Sequence, residues 1–160
     1  MIWEQSSVIR TIKYLSFLFT WFSFASAFAA CTVTTTGINF GNYDVFNPSP
    51  LNSTGSVTVS CDLAPPPDVT ISIGQSPTSG GFIPRKMKNT ILADTLSYNI
   101  YQDAAGTLIW GDGTGGTSTV LLKKVTKNRP RITTIYAIVP PQQNVSIGTY
   151  SDILTVTITP

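Results

Sequence analysis

The sequence predicts an all-β chain folded as a β-sandwich of immunoglobulin-like size, on three observations. Apolar and polar residues alternate at period two in several short stretches. The strictest lies near the end, where Leu154, Val156 and Ile158 face one way and Thr155, Thr157 and Thr159 the other. Charged residues make up only 11% of a chain rich in Thr, Ser, Gly and Pro, which suits strands and turns rather than exposed helices. Turn signals interrupt the chain at short intervals, and no segment keeps a helical period. A length of 160 residues fits one domain of ordinary size.

The first stretch, 1–29, reads as a secretory signal peptide rather than as part of that domain. Arg10 and Lys13 precede an apolar run from Tyr14 to Phe28, and Ala27-Phe28-Ala29 fits a small-residue cleavage site, as does Ala25-Ser26-Ala27. An uncleaved membrane anchor is disfavoured, because the run is short against the roughly 20 residues that a span needs. A third reading takes Phe28-Ala29-Ala30-Cys31 as a lipoprotein signal that would put a lipid on Cys31, although Phe28 stands where an aliphatic residue is usual. The mature domain is then 30–160, exported from the cytoplasm.

Export delivers the two cysteines, Cys31 and Cys61, to an oxidising compartment, so one disulfide between them is the default. Closing such a loop removes unfolded-state entropy worth roughly 3–4 kcal/mol. A lipid on Cys31 would instead leave Cys61 a lone thiol. The charges of 30–160 nearly cancel: Arg85, Lys86, Lys88, Lys123, Lys124, Lys127, Arg129 and Arg131 against seven aspartates. That balance does not point to nucleic acid as a partner.

Taken in order, Thr32 to Phe40 forms a first strand kinked at Gly37, followed by the Gly41-Asn42-Tyr43-Asp44 turn and a Pro-rich loop. Thr54 to Asp62 is the second strand, with Val57, Val59 and Cys61 on one face. Cys31 and Val33 share parity, so the disulfide ties these two strands through the interior. Pro65-Pro66-Pro67 breaks the chain before a third strand at Val69, Ile71 and Ile73. Gly74 to Thr90 reads as a long connection, flexible at Ser79–Pro84 and basic at Arg85–Lys88. The fourth strand carries Leu96, Tyr98, Ile100 and Gln102 on one face. Leu108-Ile109-Trp110 is a short strand before a glycine-rich loop around Asp112. Ser118–Val125 and Thr133–Val139 follow, and then the final strand. That strand stops at Pro160 with no successor to pair with its free side, which makes it an open edge to be covered or shared.

Catalytic chemistry is poorly supplied. The chain has no His, and 30–160 has no Glu, which removes histidine-based acid–base work and the usual nucleophile–base triads. No catalytic, cofactor or metal residue is assigned. Asp112 lacks acidic neighbours at calcium-ligand spacing and reads as a turn residue. The basic stretches Arg85–Lys88 and Lys123–Arg131 read as solvated strand ends and turns, and Trp110 as a core anchor rather than a sugar platform.

Several short motifs occur in a telling order: Cys31 before Phe40-Gly41-Asn42-Tyr43; Gly55-Ser56-Val57-Thr58-Val59-Ser60-Cys61; Arg85 with Met87; Leu96-Ser97-Tyr98-Asn99-Ile100-Tyr101-Gln102-Asp103; Trp110-Gly111-Asp112-Gly113; and Gly148-Thr149-Tyr150-Ser151-Asp152. With these the chain resembles the spore coat protein U domain found in subunits of archaic, Csu-type chaperone–usher pili. The resemblance implies an immunoglobulin-like sandwich that is incomplete, lacks its last strand and is completed by a donor strand. A periplasmic chaperone would lend that strand first, and a neighbouring pilus subunit would replace it at the outer-membrane usher. The groove would be lined by Leu154, Val156 and Ile158 beside Val33 and Ile38. The product would be a pilus at the cell surface, serving attachment and biofilm formation.

Two departures from the family pattern carry expectations. Cleavage after Ala27 or Ala29 leaves at most three residues before Cys31, too few for a donor strand of about five. The chain is therefore expected to accept a strand and not to give one, as a tip subunit, a terminator or a non-polymerising secreted member would. Pro160 stands where an apolar or aromatic end is expected. For a tip subunit, Phe82 and Ile83 on their glycine hinge form the candidate adhesive loop; the alternative is that Phe82 folds back onto the sandwich. The competing function is a free-standing secreted or surface-bound binding or coat protein, complete in itself.

Overall fold

The computed structural model describes residues 30–160, and the expected signal peptide, with both cleavage sites and the anchor reading, lies outside the described residues. Among the described residues nine strands form two antiparallel sheets: β1 (Cys31–Thr36), β2 (Leu51–Cys61), β3 (Val69–Ile73), β4 (Arg85–Asn89), β5 (Thr95–Tyr101), β6 (Val120–Leu122), β7 (Arg131–Val139), β8 (Tyr150–Ser151) and β9 (Val156–Thr159). The larger sheet runs β1-β2-β7-β5-β4-β8, the smaller β6-β3-β9. Among the described residues there is no helix.

The alternation in the sequence decides which faces meet. Val57, Val59 and Cys61 of β2 and Ile135, Ala137 and Val139 of β7 point from the large sheet into one core. Val69, Ile71 and Ile73 of β3 meet them from the small sheet. Each such aliphatic side chain, fully buried, contributes roughly 1.5–3 kcal/mol. Trp110 is fully buried among them and donates its indole N–H to the Ile71 carbonyl at 3.2 Å, so it is a core anchor as expected. Cys31 and Cys61 are Cα partners across β1 and β2 and are joined by a disulfide. A sulfur so bonded has no valence left for a lipid thioether.

The structure corrects several expectations. The stretch expected as a connection contains strand β4, and Arg85, expected to be solvated, is fully buried. Arg85, Met87 and Asn89 point inward, whereas Lys86 and Lys88 point out. The Arg85 guanidinium donates to Asn99 Oδ1 at 2.8 Å, to the Trp110 carbonyl at 2.8 Å and to the Gly74 carbonyl at 3.0 Å. A charged fork thus ties the end of β3 to β5 and to the Trp110 segment, using carbonyl dipoles in place of a carboxylate. Burial lowers the Arg85 pKa, and Tyr98, Asp152 and Asp112 partly offset that.

Residues 79–84 are not a free hinge either, because Ser76 and Gly81 close the loop with a backbone hydrogen bond of 3.0 Å. Leu108–Trp110 forms isolated bridges rather than a strand. Lys123 and Lys127 pair with Asp68 and Asp62 at the surface, at 2.8 and 2.9 Å, as a solvated turn would.

Candidate functional site

The final segment is one strand by sequence and two by structure. Tyr150–Ser151 (β8) pairs with β4 at the edge of the large sheet; the chain then crosses, and Val156–Thr159 (β9) pairs with β3 in the small sheet. Its inward stripe continues through the crossing: Tyr150, Asp152, Leu154, Val156 and Ile158 are each half-buried between exposed neighbours. The Gly74 amide donates to the Thr155 carbonyl at 2.8 Å, in register with the β3–β9 ladder. Backbone groups alternate in direction along a strand, so Thr155 and Thr157 point theirs at β3. Those of Leu154, Val156 and Ile158 point the other way, toward an edge that has no strand beside it among the described residues.

The matching edge lies on the other sheet. Among the described residues β1 pairs with β2 alone and is one of the two outer strands of the large sheet, β8 being the other. Its inward positions are Cys31, Val33 and Thr35, opposite Cys61, Val59 and Val57. Their partners are buried, yet Val33 is only half-buried and the inward-facing Thr35 is exposed. Beyond Thr36 the chain leaves the sheet, and Ile38 lies over Gly55. A Cβ at Gly55 would meet the Thr36 carbonyl oxygen at 2.8 Å and Ile38 Cγ1 at 2.9 Å, so only glycine lets this wall close down on β2.

Between the two edges runs a cleft of about 290 Å³. Thr35, Gly37 and Ile38 line it on the β1 side, Asp152, Leu154 and Val156 on the β9 side, and Ile73, Met87, Tyr98, Ile100 and Ile135 form its floor. A Cβ at Gly37 would meet nothing within 4 Å, so the space there is open. Of the five aliphatic residues expected in a groove, Ile38, Leu154 and Val156 line this cleft. Val33 and Ile158 lie farther along the same inward stripes, half-buried and outside its lining. The sequence places Ile73, Tyr98 and Ile100 on strand faces without assigning them to a groove, and it passes over Asp152. The signal for Asp152 is its parity with Leu154, one step before the alternation looks strict.

One polar contact interrupts the apolar lining. The Tyr98 hydroxyl donates to Asp152 Oδ2 at 2.7 Å, and the Ile153 amide donates to Asp152 Oδ1 at 3.0 Å. Burial first, and then the bond to Asp152, push the Tyr98 phenol well above its ordinary value.

The expected adhesive pair is divided. Phe82 is buried at 6% exposure, its ring 5.3 Å from the Arg85 guanidinium carbon, while Ile83 is 57% exposed. Phe82 is thus corrected to the fold-back alternative: it covers a desolvated cation, a favourable cation–π arrangement. Asp112 caps its own turn by accepting from the Thr114 amide at 2.9 Å and hydroxyl at 2.6 Å.

Fold and cleft together define a class: an all-β, two-sheet sandwich left open along one seam. Comparison with known proteins narrows it. The family described as Spore Coat Protein U domain matches residues 17–157, and the chain belongs to that family. It is 37% identical over 130 residues to Protein U of Myxococcus xanthus, covering 76% of this chain and 70% of that protein. In fold it is similar to a solved structure of the CsuC–CsuE chaperone–tip adhesion subunit pre-assembly complex from archaic chaperone-usher Csu pili of Acinetobacter baumannii. That match has a TM-score of 0.53 and 18% identity, and covers 81% of this chain and 39% of that one. The Hda pilus minor tip subunit HdaB of E. coli aligns with a TM-score of 0.42 and 15% identity, over 79% of each chain.

Proposed function

We propose that this chain is a structural, non-catalytic subunit of a chaperone–usher pilus, exported through the periplasm to the cell surface. The observation that carries this reading is the seam, where two free strand edges face an apolar cleft. An inserted strand would bond the outward backbone groups of Leu154, Val156 and Ile158 and send alternate side chains onto the cleft floor. Leaving five aliphatic side chains partly exposed forgoes on the order of 0.5 kcal/mol each. The sum is an appreciable share of the roughly 5–15 kcal/mol that stabilises a domain, so the sandwich gains from a borrowed strand. A periplasmic chaperone is the first lender, and a neighbouring subunit, docked at an outer-membrane usher, the second. The family membership and the fold shared with a chaperone-bound tip adhesion subunit support the same reading.

Within such a fibre the chain acts as an acceptor at the tip or terminus, in attachment and biofilm formation, because the expected cleavage sites leave no arm ahead of Cys31. The test is expression of the exported protein with and without a strand donor. An alternating apolar strand fused behind a flexible linker at the C-terminus is expected to convert an aggregating or degraded product into a monomer with a raised melting temperature. A stable monomer without any donor would overturn the reading. The 37% identity to Protein U would then favour a free-standing coat or binding protein. The mature N-terminal residue, read by mass spectrometry, tests the acceptor role: a mature chain beginning well before Ala25 would supply an arm.

A further inference from the structure

Asp152 is the one acidic member of an otherwise apolar and aromatic inward stripe, Tyr150-Asp152-Leu154-Val156-Ile158. Asp152 lines the cleft, and among the described residues its carboxylate receives only neutral donors, the Tyr98 hydroxyl and the Ile153 amide. The buried cation whose charge Asp152 feels is already spent: the Arg85 N–H groups bond Asn99, Ile73, Gly74 and Trp110, while Lys88, beside Ser151, points outward. While the cleft is open, water solvates the remaining lone pairs of Asp152. A strand laid along the seam would expel that water, and a carboxylate buried against neutral donors alone is strongly disfavoured.

We infer that Asp152 selects the inserted strand: the strand must carry a hydrogen-bond-donating side chain, Lys or Arg by preference, at the inward position facing Asp152. This rests on the strand-acceptor reading and deepens it. Inward positions recur every two residues on both strands. For a strand that follows the chain into its crossing, three successive ones face Ile158, Val156 and Leu154, and the next faces Asp152. The complementary strand therefore reads apolar, any, apolar, any, apolar, any, donor, or the reverse order if it runs the other way. Tyr98 is a positioning residue here. Its hydroxyl holds the carboxylate against the cleft floor and leaves the outer lone pairs for the incoming group.

The test refolds the denatured mature protein in the presence of a set of synthetic eleven-residue peptides that alternate Leu with Thr, and reads the affinity of the soluble complex. In each peptide a single Leu, at each inward position in turn, is replaced by Lys. A charge-assisted hydrogen bond in a closed site is expected to make one Lys peptide bind about tenfold or more tighter than the all-Leu parent, with Lys weakening binding elsewhere. Asp152→Asn keeps an acceptor for Tyr98 and is expected to abolish that preference, with the all-Leu peptide bound at least as well as before. If the all-Leu peptide binds as tightly as every Lys peptide, or if the preference survives in D152N, the selection by Asp152 is overturned. If no peptide of the set binds the wild-type protein, the strand-acceptor reading itself fails.

Discussion

Strands β3 and β9 lie side by side in one sheet, with Ile73 beside Val156 and Ile71 beside Ile158 as Cα partners. Yet Ile71 and Ile73 are at most 1% exposed, whereas Val156 and Ile158 are only half-buried. The residues are of one chemical type and share a ladder, so composition does not explain the difference. What differs is the number of neighbours: β3 has one on each side, β9 on one side only. The same contrast repeats on the large sheet, where Val59 of β2 is fully buried and its partner Val33 of β1 is not. Burial in this molecule is therefore set by the edge a residue stands beside. Both deficient edges border one cleft.

The comparison breaks most visibly on its closed side. Arg85→Ala removes the guanidinium that satisfies the carbonyls of Gly74 and Trp110 and leaves the buried Trp110 carbonyl without that donor. Loss on the order of 4 kcal/mol is expected in urea unfolding, as for breaking a buried charged cluster. A loss below about 0.5 kcal/mol would mean that Arg85 is solvated after all, since surface changes have effects of that size.

A matched pair sharpens the contrast between the two sides of one ladder. Ile71→Ala is expected to cost about 3 kcal/mol, and Ile158→Ala about 1 kcal/mol, in the protein without a donor. With a donor strand fused in place, the Ile158 cost should approach that of Ile71. Equal costs before fusion would show that the seam is closed in solution.

An effect smaller than that at Ile71 lies in the cleft's polar contact. Tyr98→Phe is expected to cost about 1–2 kcal/mol at neutral pH, because Asp152 loses its phenol donor. The fold raises the Tyr98 pKa above that of a free tyrosine, near 10, so it favours the protonated form. Its contribution is full below about pH 10 and is lost as pH rises further. The urea midpoint should fall above that pH, less steeply in Y98F; Tyr101, also raised by burial, retains part of the slope. An unchanged alkaline slope in Y98F would remove Tyr98 from the account.

Much of this was legible in the residues, for reasons that also mark the limit. Val57-Val59-Cys61, Val69-Ile71-Ile73 and Leu154-Val156-Ile158 alternate with hydroxyl side chains, and parity alone assigns their inward faces. β4 was hidden because Arg-Lys-Met-Lys-Asn reads as a charged, solvated run. Its inward members are Arg85, Met87 and Asn89, and a hydrophobicity pattern does not distinguish a buried guanidinium from an exposed one. Between its two readings Phe82 could not be decided for the same reason, since it is buried against a cation that sequence leaves at the surface. The crossing at Asp152–Thr155 was invisible too, because a strand that changes sheets keeps its alternation.

The bond between Cys31 and Cys61 has a mechanical consequence. A load that a strand seated in the seam puts on β1 passes at Cys31 through sulfur into Cys61 of β2, the strand that pairs with β7 over nine Cα positions. Prising that end of the lip away from its neighbour would require breaking a covalent bond and not only ladder hydrogen bonds.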